Sequence, residues 1–433
     1  MRITLQLRNP ISRIAICASV TLGAAVFISL CAARFVISVI TDPEARAEAE
    51  IIEGAANYFP NSAPAQARIA AHYIESSIDV SEDHEQTAER AFYYAARAVA
   101  LAPHNYEYRT LLGAAKELRG DLAGAEAELR EALKLAPYLV TIHWRLANLL
   151  IRQDKTDQAS AEFRLASEAD PALLIPALNI LWQATDGKTE PLNASVGGDP
   201  RSRLTLAHFL VEQEKFEPAV EIANSLDRRL ILDLPESGKL IDSLISKGHI
   251  DMANKLWRSF LGGEDKPLIW NESFESPVRS GLVQFDWNLG QSKYARIGIT
   301  TTAARTGQHS LKISYNGVDT TSFDNEIRQL FKIRPGAHYN LTCYVKAEKL
   351  VTPDGPRVAV TLDNLSTPVA SSAVIEAGTY DWRLLTMDFV APSDAQVLVV
   401  AIKQKPQFSY VEPTSGAVWF DDFALKEKSS DLK

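Results

Sequence analysis

Three tripeptides recur at one interval of 34 residues: Leu101-Ala102-Pro103, Leu135-Ala136-Pro137 and Ala169-Asp170-Pro171. Two alanine ladders keep the same step, Ala91, Ala125 and Ala159, then Ala98, Ala132 and Ala166. A period of this length restricts a chain to stacked helical hairpins, because one unit cannot bury its apolar face alone. Small residues let two helices cross closely, while Leu112, Leu129, Leu146, Leu150 and Phe163 fill the space between hairpins. Two full units follow, Tyr106 to Pro137 and Val140 to Pro171, broken internally at Arg119-Gly120-Asp121 and at Asp154 to Asp157. A half-formed unit precedes them, with helices expected around Ala65 to Ile78 and over Glu85 to Leu101. Loop-like composition interrupts the pattern at Thr185 to Pro200. Helical patterning resumes at Leu204 to Leu210 and at Ile241 to Phe260, with Ala219 and Ala253 again 34 apart. One interrupted solenoid is expected.

This pattern resembles the tetratricopeptide repeat (TPR) family. The family's small-residue signature falls on Gly113, Ala125 and Ala132, then on Ala147, Ala159 and Ala166. Its closing proline falls on Pro103, Pro137 and Pro171. The large aromatic expected early in the first helix is absent: Arg109 and His143 hold that place, and Trp144 is one residue late. The resemblance implies a protein-binding groove lined by the first helices, with Arg109, His143, Arg145, Asn148 and Arg152 as its candidates. The competing reading is an ordinary solvated helix face. No Cys, Asp or Glu has the spacing to make His143 a metal ligand or a base.

At 433 residues the chain exceeds a single ordinary core, so two or three domains are expected. The net charge of -9, without basic stripes, argues against a nucleic-acid partner. Ile14 to Ala33 are uncharged and mostly apolar, long enough to cross roughly 30 Å of hydrocarbon as a helix. Arg2, Arg8 and Arg13 precede the run and Asp42, Glu44, Glu48 and Glu50 follow it, which orients the N-terminus toward the cytoplasm. Residues 1–41 are therefore read as the cytoplasmic tip and transmembrane signal anchor of an inner-membrane protein, the bulk lying outside. A cleaved signal peptide is the alternative, with Cys31-Ala32-Ala33 as processing site. Cys17 and Cys31 lie in the apolar run, so Cys343 stands alone in the exported part and no intramolecular disulfide forms there.

From about Leu268 the period changes from helical to alternating. Strands are expected at Ser310–Tyr315, Ile327–Ile333, Tyr339–Ala347, Arg357–Leu362, Trp382–Phe389, Gln396–Lys403 and Ala417–Leu425. Turn clusters divide them, as at Arg334-Pro335-Gly336 and Pro353-Asp354-Gly355-Pro356. Seven or more such strands point to an antiparallel sandwich. Asn271 to Glu275, Phe285-Asp286-Trp287, Ala304 to Ile313, Ile333 to Thr342, Tyr380 to Arg383 and Val418 to Leu425, in that order, resemble galactose-binding-like jelly-roll sandwiches of carbohydrate-binding modules. That resemblance implies a structural calcium, with Glu272, Glu275 and Asp421 as the residues to test. The competing reading is that these acids solvate and cap turns. Sugar recognition would draw on Trp287, Tyr294, Tyr315, Phe323 and Tyr380 for ring faces, and on Asn325 and Arg328 among the polar contacts. Trp382 and Trp419, within alternating strands, are expected in the core.

The fold class expected is thus multidomain, α then β: transmembrane helix, TPR-like α-solenoid over 42–265, antiparallel β-sandwich over 266–433. No serine elbow, metal-ligand cluster or phosphate-cradling glycine loop is present, which argues against an enzyme and any required cofactor. The leading function is an anchored envelope scaffold or assembly protein, the repeats holding an envelope protein and the sandwich a polysaccharide, in polysaccharide or surface-protein export. The alternatives are a purely protein-binding scaffold with a structural sandwich, and an envelope glycoside hydrolase.

Overall fold

The computed structural model describes residues 10–40, 54, 60–77, 84–263, 267–318, 321–324, 326–362, 368–405 and 413–428. Within the first helix, side chains are described for 14–29, 31 and 32. The chain forms two compact units, Met1–Ser195 and Val196–Lys433. The boundary expected at 265/266 lies inside the second.

In the first unit, α1 runs Pro10–Ile40 and its described side chains are exposed. Among the described residues, no helix is long and apolar enough to cross a membrane. Of the flanking charges that orient the expected anchor, Arg2, Arg8, Asp42, Glu44, Glu48 and Glu50 lie outside the described residues, and the Arg13 side chain is not among those described.

The hairpins follow the sequence period closely. They are α2 (Ala63–Ser76) with α3 (His84–Leu101), α4 (Tyr106–Leu118) with α5 (Leu122–Leu135), and α6 (Val140–Arg152) with α7 (Thr156–Ala169). The Asn105 side chain accepts from the amides of Glu107 and Tyr108 to start α4, and Asp121 accepts from Gly124 to start α5. Gly120 (φ 77°) and Asp154 (φ 57°), 34 residues apart, supply the left-handed turn between helices of each unit. All six ladder alanines are fully buried, as are Leu129, Leu146, Leu150 and Phe163. Each of the four larger side chains contributes about 1.5–3 kcal/mol by leaving water. Two further helices, α8 (Leu174–Ala184) and α9 (Thr189–Ala194), close the unit. The interruption expected as plain loop thus holds a short helix, because Leu192 has an apolar site to fill.

The second unit opens with α10 (Pro200–Glu212), α11 (Phe216–Asn224), α12 (Arg228–Ile231), α13 (Pro235–Ser246) and α14 (Ile250–Leu261). Its turns repeat the same device, Glu214 (φ 60°) and Gly248 (φ 83°) being again 34 apart. Ala219 and Ala253 are fully buried. From α14, the Trp257 indole donates to the Leu282 carbonyl at 2.9 Å and meets Trp270 edge-on at 5.0 Å. The segment entering the sandwich is therefore laid against this helix.

Ten strands then form two five-stranded sheets: β1 (Asn288–Leu289), β2 (Ala295–Thr300), β3 (Ser310–Val318), β4 (Ile327–Lys332), β5 (His338–Val351), β6 (Arg357–Thr361), β7 (Pro368–Ser371), β8 (Gly378–Val390), β9 (Val397–Lys403) and β10 (Thr414–Glu427). Their orders are β1-β4-β9-β6-β7 and β2-β3-β10-β5-β8, every pairing antiparallel. Counting β3 to β10 as the first to eighth, the sheets read 1-8-3-6 and 2-7-4-5, the winding of a jelly roll. All seven expected strands are present, and β1, β2 and β7 are additional. The inner faces meet in one core built on Phe274, Trp287, Phe331, Phe389, Phe420 and Phe423. Cys343 lies in it, and burial raises its thiol pKa well above the ordinary range.

Candidate binding surfaces

In the repeats, two expected groove residues turn inward. Arg109 on α4 donates from Nε to the Pro103 carbonyl at 2.9 Å and pairs with Glu128 of α5 at 3.0 Å. His143 on α6 does the same one period later, meeting the Pro137 carbonyl at 2.9 Å and Glu162 of α7 at 2.6 Å. Both therefore act as struts, tying each first helix to its own second helix and to the end of the previous unit. Their side chains are thus engaged within the repeats rather than held free for a groove, Arg109 remaining 22% exposed. Arg203 on α10 keeps the backward half of the pattern, donating to the Gly197 carbonyl at 2.8 Å.

Arg145 and Arg152 behave differently. Both reach back from α6 to Glu117 of α4, Arg145 at 3.8 Å. They remain 38% and 53% exposed, so much of each guanidinium faces solvent. Asn148 lies between them in sequence, donates to the Trp144 carbonyl at 2.8 Å and is half-buried.

The expected sugar-stacking rings are largely core. Trp287 is fully buried against Phe274 and Phe423, its indole donating to the Asn271 carbonyl at 3.2 Å. Tyr315 is buried with its hydroxyl donating to Gln404 at 3.0 Å, and Phe323 packs on it. None of the three presents a face to a sugar, which corrects that expectation. Alternation along strands puts these rings between the sheets, where aromatic area is most needed. Tyr294 and Tyr380 are half-buried at strand ends, with Lys293 and Arg383 over their rings. Asn325 lies outside the described residues. Trp419 is buried, but alternates with Val418 and Phe420 and so lies on the outer face under Lys312 at 4.6 Å. Trp382 is half-buried.

Arg328 leads to a surface the aromatics missed. It pairs across β4 and β9 with Ala401, which pairs with Ala359 of β6, which pairs with Ser371 of β7. These residues alternate with core residues and therefore form one row on the outer face of the first sheet. Helices cover the β4 side of that face: Asp251 of α14 pairs with Lys332, and Asp242 and Ile245 of α13 face Arg328 and Val399 across a cavity of about 230 Å³. The β6–β7 side carries a cleft of about 500 Å³ instead. Ala359 lies at its floor, with Arg357, Lys403, Lys405, Asp324 and Ser371 around it. Lys403 pairs with Asp324 at 2.7 Å, and Arg357 meets Asp354 at 2.9 Å. Sequence reasoning missed this cleft because its walls come from β6, β7, β9 and the stretch before β4.

The expected metal residues gather at one end of the sandwich, where Asp421 and Glu275 have donors of their own. Asp421, fully buried, accepts from the amides of Arg305 at 2.7 Å and Asp422 at 2.8 Å. Burial raises its pKa, against the pull of those amides. Burial also raises the Glu272 carboxyl, with Asp422 adding repulsion. Glu275 is held low by the His309 side chain and by the His309 and Gln308 amides. Burial opposes the Asp422 charge, yet Thr306, Arg305 and Ser273 hold its pKa down. Among the described residues, no group of three or more His, Cys, Asp or Glu side chains is placed to hold a metal ion.

Residues 118–174 match the sequence model of the tetratricopeptide repeat, spanning the end of α4, all of α5 to α7 and the turn beyond. No curated protein matches the chain. Solved structures similar to parts of it include CBM4, at 18% identity over 37% of this chain and 99% of that one, with a TM-score of 0.29. A thermophilic TPR protein from Thermus thermophilus is 21% identical over 31% of this chain and 71% of that one, with a TM-score of 0.29. MamA is 14% identical over 40% and 85%, with a TM-score of 0.30. Likenesses of this size leave the fold resting on the repeat geometry and strand order already described. The chain is thus a TPR-like repeat region followed by a two-sheet antiparallel sandwich.

Proposed function

We propose that this chain is a membrane-anchored, non-catalytic scaffold of the cell envelope, whose repeats hold a protein and whose sandwich holds a glycan. The observation that carries the protein half is the exposed Arg145–Arg152 stripe on α6, the first helix of a unit inside the matched repeat. The glycan half rests on the polar cleft over β6, β7 and β9, on the outer face of a jelly-roll sheet. The anchor rests on the apolar run Ile14 to Ala33 and its flanking charges. A role in polysaccharide or surface-protein export would bring all three parts together.

A glycan array probed with the full-length chain in detergent tests the reading. Binding that is lost on changing Ser371 and Lys403 supports it. Binding to no envelope glycan would leave the sandwich structural and the chain a protein scaffold only. Fractionation tests the anchor: an unprocessed full-length chain found in the soluble fraction would overturn it.

The structural calcium belongs to the same proposal, supported by the nearness of the Glu272 and Asp421 carboxyls to Asp422, whose repulsion adds to the burial that raises them. An ion bound only by the folded state stabilises it, so melting in excess calcium should occur above melting in chelator. Coincident curves would reject the site.

A further inference from the structure

The cleft on the outer face of the first sheet differs from a neutral-sugar platform in what lines it. A neutral pyranose is held by an aromatic face beneath its C–H surface together with hydrogen bonds to its rim. Three of the rings expected for that task, Trp287, Tyr315 and Phe323, are buried. Of these, Phe323 alone borders the cleft, and it does so as a core residue only 2% exposed. The floor is Ala359, which offers no ring.

Cations dominate the walls. Arg357 and Lys403 stand opposite one another across β6 and β9, and Lys405 follows two residues on. Asp324 is the one acid among the described lining residues, and Lys403 already pairs with it at 2.7 Å. Asp354 engages one guanidinium nitrogen of Arg357, at 2.9 and 3.0 Å, from outside the lining. Lys405 is exposed. Arg328, in the same row through Ala401 and Ala359, lies on the helix-covered β4 side and takes no part in the cleft. The cleft therefore sets three cations against one acid over a small side chain, a lining suited to a negatively charged polymer rather than a stacked neutral one.

The geometry points to an acidic polysaccharide, one whose sugars carry carboxylates, as the occupant of this cleft. This rests on the glycan reading above and narrows its ligand class. Carboxylates spaced along a uronate chain would meet Lys405, Lys403 and Arg357 in turn, while Ser371 supplies a hydroxyl to the sugar rim. A long polymer gains by meeting several such charges at once, so affinity should depend on chain length as well as on salt.

The test is titration of the full-length chain in detergent with polygalacturonate, and in parallel with neutral galactan and xylan, at low and high salt. Polygalacturonate should bind in preference, with affinity falling about tenfold or more between roughly 0.1 M and 1 M salt as the Debye length shrinks. The variants Lys403→Gln and Lys405→Gln should each weaken it several-fold. Lys312→Gln, on the other sheet, should leave it unchanged. An unaltered melting curve for each variant guards against a folding effect. Salt-insensitive binding of the neutral polymers in place of polygalacturonate would overturn the acidic class while keeping the glycan reading. Binding of no polymer would remove both. Polygalacturonate binding that ignores the cleft variants would overturn the site.

Discussion

Polar contacts in the repeats and in the sandwich are built over very different stretches of chain. Arg109 reaches 6 residues back to Pro103 and 19 forward to Glu128, and His143 repeats both steps. In the sandwich, Asp421 draws on the amide of Arg305 across 116 residues, and Ser273 reaches Asp422 across 149. The repeat solves its polar problem once and copies the answer. The sandwich solves each problem once only, with groups brought together by the winding of the whole unit. A change in one repeat should therefore forecast the same change one period on, while each sandwich site has to be tested for itself.

The sharpest way to break that comparison is a matched pair of core truncations. Leu129 and Phe163 occupy the same place in successive units and are fully buried, Phe163 meeting Trp144 edge-on at 5.0 Å. Leu129→Ala and Phe163→Ala should cost about 2–5 and 3–5 kcal/mol respectively in denaturant unfolding. Costs that differ by much more than the side chains do would mean that the two units are not equivalent. Phe423→Ala has no such counterpart, since its ring contacts Phe274 and Trp287 from distant parts of the chain.

Next in size is a titration in the second unit. Burial pushes the Asp286 carboxyl up to about 7, against the Trp287 amide and the Asn271 side chain, which favour its charge. An unfolded Asp ionises near about 4, so between there and about 7 the folded state holds a proton that the unfolded state has lost. Stability therefore falls as pH rises through this window. Asp286→Asn stays neutral and keeps an oxygen for the Trp287 amide, which Asp286 accepts at 2.7 Å. Its advantage over the wild type should grow by about 2–3 kcal/mol between about pH 5 and about pH 8. A constant difference would mean that Asp286 titrates like an ordinary carboxyl.

The struts come third. Arg109→Ala and His143→Ala each remove a carbonyl contact and a carboxylate partner in a partly buried place, and each should cost about 1–3 kcal/mol. Pairing each with Glu128→Ala or Glu162→Ala in a double-mutant cycle should give similar coupling energies, one period apart. Unequal couplings would show that Arg and His are not interchangeable as struts.

These contrasts also explain how much could be read from sequence. The alanine ladder, the hairpin limits and the seven main strands were legible because period and alternation report burial directly. Short strands were not: β1 has two residues and β7 four, too few to show a period. The struts were legible in position but not in direction, since Arg109 and His143 stand in the aromatic's place and spacing alone does not say which way a polar side chain turns. Trp287 and Tyr315 were misplaced because a ring near a turn can close the core as readily as it can face solvent. The cleft was hidden for a topological reason. Lys403 and Arg357 are distant in sequence, and only the β6–β9 pairing makes them neighbours.

The smallest expected effect on stability separates the groove from the struts most cleanly. Arg145 and Arg152 both lean on Glu117, but more than a third of each side chain faces water. An exposed ion pair gains little, because solvent screens it and ordering two long side chains costs entropy. Arg145→Ala with Arg152→Ala should therefore change stability by no more than about 0.5–1 kcal/mol, well below either strut. Binding should respond in the opposite way. Two guanidinium groups on one helix face, two turns apart, can take a partner's carboxylates, and losing both should weaken capture of a protein partner while the melting curve stays put. Arg109→Ala should do the reverse, lowering the melt and altering capture only through it. If the double variant recovers the same partners in the same amounts as the wild type, the α6 stripe is only a solvated helix face, and protein binding must be sought elsewhere on the repeats.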